Sequence, residues 1–322
     1  MNAADRQTRT HLTKLFSQHG FFPRGDLGQN FLIDLNIVQY VADQAFICSD
    51  DVILEIGTGT GGLTTFLARE AAAVVTVEYD QNVFGLAQQM LDGLRNVTLI
   101  HADALKNKNH LNPDVMAIVQ EKLSVDPDRK LKLVANLPYN VATPIISNLI
   151  ATEFPWVAMV VTIQLELAQR MAAQPKAASN YGALSVWLQS QCQIKLLKKL
   201  GPQVFWPQPT VDSAILSIRP DRERRALITD RAFFHEFIRG VFTQRRKHLR
   251  VVLCSLFKGR LDRATIDRVL AEQGLKPELR AEQLEVDILV SLSNRLAAII
   301  HGLLIEETGC REPTRSVSEG EP

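Results

Sequence analysis

Cysteine is scarce in this chain. Only Cys48, Cys192, Cys254 and Cys310 occur in 322 residues, and no two form a Cys-x-x-Cys pair. That argues against a disulfide-stapled scaffold and a cysteine-ligated zinc site, and the thiols are expected to stay unpaired, as in a reducing cytoplasm. Long apolar runs are missing too. The longest, 156–163, falls well short of the ~18 residues that a membrane-spanning helix needs and reads as a buried strand. The first residues are polar and charged (Asp5, Arg6, Arg9), without the apolar centre of a secretory leader. The expectation is a cytoplasmic globular protein with no metal and no membrane contact. At 46% hydrophobic and 22% charged residues, the chain can bury a large core and build a second domain.

Periodicity then sets the organisation. Residues 1–24 read as a polar arm with room for one short helix. Asp34 is placed to cap an amphipathic helix that presents Ile37, Val38, Val41 and Ala45 on one face. Strand patterns at 52–56, 74–78, 97–100, 131–135 and 157–163 alternate with helical patterns at 63–70, 82–91 and 144–151. That alternation predicts an α/β fold with a mostly parallel sheet covered on both faces. Two β-rich runs, 194–198 and 214–219, flank a proline-rich turn and predict an antiparallel edge hairpin. After Pro220 the spacing becomes helical at 231–241, 247–257, 265–273 and 289–300, which predicts a small all-helical domain. The final stretch, rich in Glu, Ser, Thr and Pro, is expected to be a disordered tail from 306 to 322.

Charge is uneven. Between Lys195 and Arg260 there are 15 Lys+Arg against 5 Asp+Glu, a net of +10, so the remaining residues must sum to 1 − 10 = −9 to give the overall +1. A basic segment attached to a mildly acidic part suits a polyanion partner, although a solvated helical surface has the same composition.

Four motifs carry chemistry. The strand at 52–56 runs into Glu55-Ile56-Gly57-Thr58-Gly59-Thr60-Gly61-Gly62, where Gly57 and Gly59 let a ligand approach the turn closely. This loop also fits a dinucleotide fingerprint. Glu78 ends the next strand and can accept hydrogen bonds from ribose hydroxyls. Together they point to an adenosine-containing cofactor and leave nicotinamide dinucleotide and S-adenosylmethionine open. Asp103 follows the third strand, where a carboxylate can accept from an adenine amine. Asn136-Leu137-Pro138-Tyr139 follows the fourth. Its amide oxygen and a backbone carbonyl at Leu137 or Pro138 can accept from an exocyclic amine, Pro138 fixes the backbone, and Tyr139 can stack on the base. These last two features favour the methyl donor. Alone, each residue is also consistent with a helix cap or an Asn-Pro turn.

These motifs resemble, in order, those of the small-subunit (16S) ribosomal RNA adenine dimethyltransferases, the kasugamycin-sensitivity enzymes, over about residues 25 to 300. The matching segments also include Gly28-Gln29-Asn30-Phe31-Leu32, Glu78-Tyr79-Asp80, Asp103-Ala104-Leu105, Tyr181-Gly182-Ala183-Leu184-Ser185, Phe205-Trp206-Pro207-Gln208-Pro209, Val211-Asp212-Ser213-Ala214 and Gln244-Arg245-Arg246-Lys247. The resemblance implies a Rossmann-like class I methyltransferase sheet at 25–222 and a helical RNA-binding domain at 223–305. It implies that Asn30, Leu32, Gly57, Glu78, Asp103 and Asn136 line an S-adenosyl-L-methionine pocket, with Gln29 beside it. It implies that Tyr139 and Phe205 sandwich the target adenine, although an aromatic in a proline-rich loop is by itself more often core. Arg245, Arg246, Lys247 and Arg250 become phosphate contacts. The implied activity is dimethylation of two adjacent adenosines near the 3′ end of small-subunit rRNA, by a monomer acting on an immature small ribosomal subunit.

Two departures stand out. Thr58 occupies a position where the family usually has proline, which is expected to alter loop stiffness more than chemistry. Residues 106–130 are longer than usual, with a helical pattern at 114–123 that could cover the pocket, touch the ribosome or be a surface insertion. Three rival readings remain. One is a macrolide-resistance methyltransferase acting on large-subunit rRNA. The others are a non-catalytic ribosome-assembly or transcription factor on the same fold, and a nicotinamide dehydrogenase.

Overall fold

A computed structural model describes residues 8–175 and 180–309. The chain divides into two compact units. Residues up to 173, with 187–225, make the first. Its elements are α1 (Arg9–Gln18), β1 (Phe31–Leu32), α2 (Leu35–Gln44), β2 (Asp51–Ile56), α3 (Gly62–Leu67), β3 (Ala73–Glu78), α4 (Gln81–Met90), β4 (Val97–His101), β5 (Leu105–Asn107), β6 (His110–Leu111) and α5 (Pro113–Leu123). There follow β7 (Lys130–Asn136), α6 (Ala142–Ala151), β8 (Trp156–Gln164), α7 (Leu165–Met171), α8 (Ala183–Gln189), whose first residues belong to the second unit, β9 (Cys192–Leu200), β10 (Phe205–Trp206), β11 (Ser213–Pro220) and α9 (Arg222–Ala226), which runs to the division. The second unit contains α10 (Arg231–Thr243), α11 (Leu249–Leu256), α12 (Arg263–Glu272) and α13 (Val286–Gly309).

Seven strands form one sheet in the order β4-β3-β2-β7-β8-β11-β9. The pairs β2–β3, β3–β4, β2–β7 and β7–β8 are parallel, and β11 runs antiparallel to both β8 and β9. This is the α/β sheet with an edge hairpin that the alternation predicts. Every residue of β2 and β3 is buried, as expected for strands covered on both faces. Asp34 and Asp80 cap α2 and α4 through their side chains, each accepting two backbone N–H groups of the first turn.

The segment read as a polar arm contributes to the core. Leu12 and Phe16 of α1 are buried beside Phe31, Val83 and Leu86. Their spacing of four places both on one face of the helix, a signal too short to stand out amid polar neighbours. The 106–130 connection is no added cover. β5 and β6 form a small hairpin, and α5 buries Val115, Met116, Val119 and Leu123 while lying against β2 and β3. It is the crossover helix that a parallel sheet requires between β4 and β7.

The second unit takes in 174–186 as well as the residues after 225. Tyr181 is its anchor in that segment. Its ring is buried and meets Phe242 edge-on at 5.7 Å, and its hydroxyl donates to the Leu284 carbonyl at 2.9 Å. A tie of this kind spans 103 residues and leaves no local periodicity to read. Helix α13 continues to Gly309, past the expected start of the tail at 306. Residues 310–322, with Cys310, lie outside the described residues.

One buried ion pair secures the base of the sheet. Lys132 Nζ lies 2.6 Å from Asp51 Oδ2 and also donates to the Phe46 carbonyl at 2.7 Å. Asp51 is 1% exposed. Replacing Lys132 by alanine strands a buried carboxylate, and the expected loss is ~3–5 kcal/mol of unfolding free energy, measured by urea denaturation.

Candidate active site

The ends of β2, β3, β4 and β7 surround a cavity of about 320 Å³. Its wall is made by Gly28–Leu32, the Glu55–Gly59 turn, Glu78, Asp103 and the Asn136–Val141 segment. Thus every residue read as cofactor-binding (Gln29, Asn30, Leu32, Gly57, Gly59, Glu78, Asp103 and Asn136) lines one space.

Two close backbone approaches shape it. Gly57, at φ +85°, has Pro138 against it: a Cβ on Gly57 would lie 3.2 Å from Pro138 Cδ. Gly59, at φ +57°, sits under the Phe31 ring, whose nearest carbon would be 3.2 Å from a Cβ there. Any side chain at either position would be strained and would push the cavity wall outward. Phe31 is in turn backed by Phe16 of α1, ring to ring at 5.2 Å.

The amide of Asn136 is oriented. Its Nδ2 donates to the Asn30 carbonyl at 2.8 Å. Its Oδ1 is buried and has no partner among the described residues. A buried acceptor left empty is unfavourable unless a ligand fills it. Tyr139 is half-buried, and its hydroxyl shares a 2.6 Å hydrogen bond with Ser213 Oγ. Burial raises the tyrosine pKa, partly offset by Ser213. The hydroxyl therefore stays neutral and locks the ring in place. Ser213 belongs to the Val211–Ala214 motif, so two distant motifs meet here.

The loop amides are already committed. Gly57 and Thr58 donate to the Val77 carbonyl, and Gly59 donates to Glu78 Oε2 at 2.9 Å. Glu78 Oε1 accepts from the Asp80 amide at 2.9 Å. A pyrophosphate cradle would offer those N–H groups to the ligand. Glu55, Glu78 and Asp103 line the cavity, and no Lys, Arg or His does so among the described residues. Such a lining offers a pyrophosphate neither free amides nor a cation and suits a cationic ligand. S-Adenosylmethionine, with its ammonium and sulfonium, fits.

Glu55 was not singled out in the sequence. It lies in the cavity wall on a buried chain of hydroxyls. Thr64 and Thr76 donate to its Oε2 at 2.6 and 2.7 Å, and Thr58 hydrogen-bonds Thr76 at 2.7 Å. Thr76 has one proton to give, so Thr58 must be the donor to it. Thr58 therefore changes more than loop stiffness: its hydroxyl joins the network beneath the cavity. The acidic ends of β2 and β3 at a glycine turn were the signal available. Asp103 uses one oxygen on the Leu105 amide at 2.9 Å, and Gln29 bridges the Arg24 amide and Asp80.

Phe205 departs from its expected role. It is 1% exposed, lies in the core with Leu32, Val38 and Ile215, and does not line the cavity. Strand β10 pairs it with Leu32 and draws the ring inward. Of the basic residues in the second unit, Arg245 donates to the Tyr181 carbonyl at 3.2 Å and faces Glu282 at 3.6 Å. Arg250 faces Asp267 at 3.8 Å. Arg246 and Lys247 are exposed.

Burial raises Glu55 to about 8, against the pull of the Thr64 and Thr76 hydroxyls and with a push from the Glu78 charge. Its unfolded value is near 4.5, so the folded state holds the extra proton between those pH values. The stability this supplies is complete below about 4.5 and is lost as pH rises through about 8. Thermal unfolding at pH 5 and 8.5 should show a fall in Tm for the wild type. The fall should be clearly smaller for Glu55→Gln.

The family model described as "Ribosomal RNA adenine dimethylase" matches residues 21–297. A ribosomal RNA small subunit methyltransferase A of Oceanobacillus iheyensis is 36% identical over 287 residues, covering 89% of this chain and 95% of that protein. One of the same name from Bacillus licheniformis is 36% identical over 297 residues, covering 92% and 99%. Among solved structures, a dimethyladenosine transferase from Plasmodium falciparum aligns with a TM-score of 0.68 at 24% identity, covering 83% of this chain and 97% of that one. The 23S rRNA methyltransferase ErmE aligns at 0.59 and 22%, covering 83% and 100%. The two structures share the fold, and the sequence match fixes the family: this chain belongs to the ribosomal RNA adenine dimethylases.

Proposed function

We infer that this chain dimethylates the exocyclic amines of two adjacent adenosines near the 3′ end of small-subunit rRNA, using S-adenosylmethionine. The observation that carries the reading is the empty, buried Oδ1 of Asn136, beside Pro138 and Tyr139 in the wall of the cavity. S-Adenosylmethionine supplies an electrophilic methyl group.

The side chains prepare the amine. An adenine amine is a weak nucleophile because its lone pair is delocalised into the ring. Asn136 Oδ1 accepts one N–H. The carbonyl of Leu137 or Pro138 is the second acceptor; the Pro138 carbonyl also accepts from Val141 at 3.2 Å, which favours Leu137. Two acceptors draw the nitrogen toward tetrahedral geometry and localise its lone pair. No prior deprotonation is needed, since the alkylated nitrogen readily sheds a proton to water. Tyr139 offers a ring face to the extruded base, and Ser213 holds that ring. With Phe205 buried, Tyr139 is the stacking surface this geometry supports. Glu78 and Asp103 would hold ribose and adenine, and Glu55 the cationic end of the cofactor.

Arg246 and Lys247 are the candidates for phosphate contact in the helical unit, whereas Arg245 and Arg250 serve mainly internal ion pairs. The acting form in this proposal is a cytoplasmic monomer on an immature small subunit. No helix among the described residues is long and apolar enough to cross a membrane.

Transfer of tritiated methyl groups to undermethylated small subunits, followed by nucleoside analysis, tests the activity; dimethyladenosine is the expected product. Primer extension on both rRNAs should place it in the small subunit, and methylation of large-subunit rRNA alone would overturn the reading. Asn136→Ala should lower kcat by at least ~100-fold, the scale for losing an oriented acceptor, with cofactor affinity within a few-fold of the wild type. Arg246→Ala with Lys247→Ala should reduce the slope of log binding constant against log salt by roughly 1.5, and Arg245→Ala should act mainly on stability.

A further inference from the structure

The cofactor cavity occupies one end of the sheet. The opposite end carries a residue that none of that chemistry uses. Phe46 has φ +46° and is the only non-glycine residue with positive φ among the described residues. It follows Ala45, the cap of α2, at the position where helices commonly end on glycine because an L side chain is disfavoured there. The ring is also 67% exposed. A displayed phenyl group in a left-handed backbone is thus unfavourable twice. Lys132, buried against Asp51, holds the conformation by donating to the Phe46 carbonyl at 2.7 Å. Backbone strain that the surroundings over-determine marks a functional candidate.

The edge hairpin brings cations to the same place. Arg219 stands over the Phe46 ring, 5.7 Å from its centroid. The register pairs Lys198 with Ile215, Lys195 with Ser217 and Gln193 with Arg219, with an irregularity beside Ile215/Leu216. Residues 215, 217 and 219 share one face of β11, so Lys198, Lys195 and Arg219 share it too. Three residues apart, Lys195 and Lys198 would face opposite ways in a regular strand; the bulge re-aims one of them. All three cations are exposed, and Lys198 lies 5.2 Å from the centroid of Tyr40. Lys198 and Lys195 stand about 7 Å apart along β9, and Arg219, on the neighbouring strand, is a diagonal step of about 8 Å from Lys195, on the scale of successive phosphates along an extended single strand.

Acids flank the row at its Phe46 end. Phe46 lines a cleft of about 400 Å³ with Asp43, Arg69 and Glu70, where Asp43 accepts from Gln39 at 2.6 Å, and Asp221 accepts from Gln193 at 3.3 Å; none of these acids lies between Lys198, Lys195 and Arg219 on their shared face. Lysines also discourage pairing at a sheet edge, but that role needs neither a shared face nor an exposed ring.

We propose that this face is a second RNA-contact surface. An extended segment of the ribosomal RNA lays its phosphates along Lys198, Lys195 and Arg219 and stacks a base on Phe46. The proposal rests on the rRNA substrate argued above.

Binding to undermethylated small subunits, measured across a salt series, tests it with the wild type, Phe46→Gly and the double variant Lys195→Ala/Arg219→Ala. Phe46→Gly relieves the backbone, so its Tm should equal or exceed that of the wild type, while its affinity falls about tenfold through loss of one stacked base. The double variant should lower the log–log salt slope by about 1.4, that is ~0.7 for each of two phosphates. S-Adenosylmethionine affinity should be unchanged in both. Equal affinities and slopes in all three proteins would overturn the surface. So would a lower Tm for Phe46→Gly, which would assign the ring to packing. Weakened binding by the double variant with an unchanged salt slope would assign the face to a ribosomal protein and overturn the RNA contact. A wild type that fails to bind small subunits overturns the substrate reading and this surface with it.

Discussion

The site depends on one hydrogen bond, from Asn136 Nδ2 to the Asn30 carbonyl at 2.8 Å. It joins residues 106 positions apart and decides which way the amide faces. Turned the other way, Asn136 would point a donor at the substrate amine and oppose its own chemistry. With Nδ2 satisfied, Oδ1 is left as a buried acceptor. The same bond ties the Gly28–Leu32 turn to the end of β7, so the cofactor wall and the amine clamp share a support. Gly57 closes the arrangement from below, because Pro138 can approach only where no Cβ intervenes.

Electrostatics then choose the ligand class. A glycine turn after a strand is shared by dinucleotide and methyl-donor proteins, so the turn alone decides nothing. What decides is where its amides go and what charges surround it. Here the amides bind Val77 and Glu78, and the cavity wall carries carboxylates without a facing cation among the described residues. An anionic pyrophosphate would meet few donors and no cation. A cationic cofactor meets Glu55, which burial keeps protonated near neutrality when alone and which a nearby positive charge would help to ionise. The Thr58–Thr76–Thr64 hydroxyls soften the burial of that carboxyl.

Much of this was legible in the sequence because the information was local. Alternating apolar runs gave the sheet, Asp34 announced its cap, and the strand-end residues Glu78, Asp103 and Asn136 converge because parallel strands bring their carboxyl ends to one edge. The rest depends on long-range packing. Phe205 reads by itself as core and only the resemblance makes it a partner of Tyr139; β10 pairs with β1 and buries it. Arg245 and Arg246 are neighbours in a basic run, and only the Tyr181 carbonyl and Glu282 distinguish them. Tyr181 joins the second unit through contacts that no sequence period encodes. α1 reads as polar because only two of its residues, Leu12 and Phe16, are buried.

The sheet separates two kinds of demand. At the carboxyl ends of the strands the wall must be rigid and acidic, and glycine, proline and an oriented amide meet that need. A basic group there would weaken the hold on a cation. Contacts with a polyanion are therefore better placed elsewhere on the molecule. The edge hairpin satisfies this by geometry: a bulge puts Lys195 and Lys198 on one face with Arg219, in a row that runs from the level of Ile215 to Arg219 at the end of the sheet away from the cavity. Lys132 serves the same end of the fold twice, neutralising Asp51 and fixing Phe46 in a backbone conformation that an aromatic residue does not adopt unaided. Glycine would fill that left-handed position without strain. An exposed phenylalanine there, beside aligned cations, is the observation on which the proposed RNA contact rests.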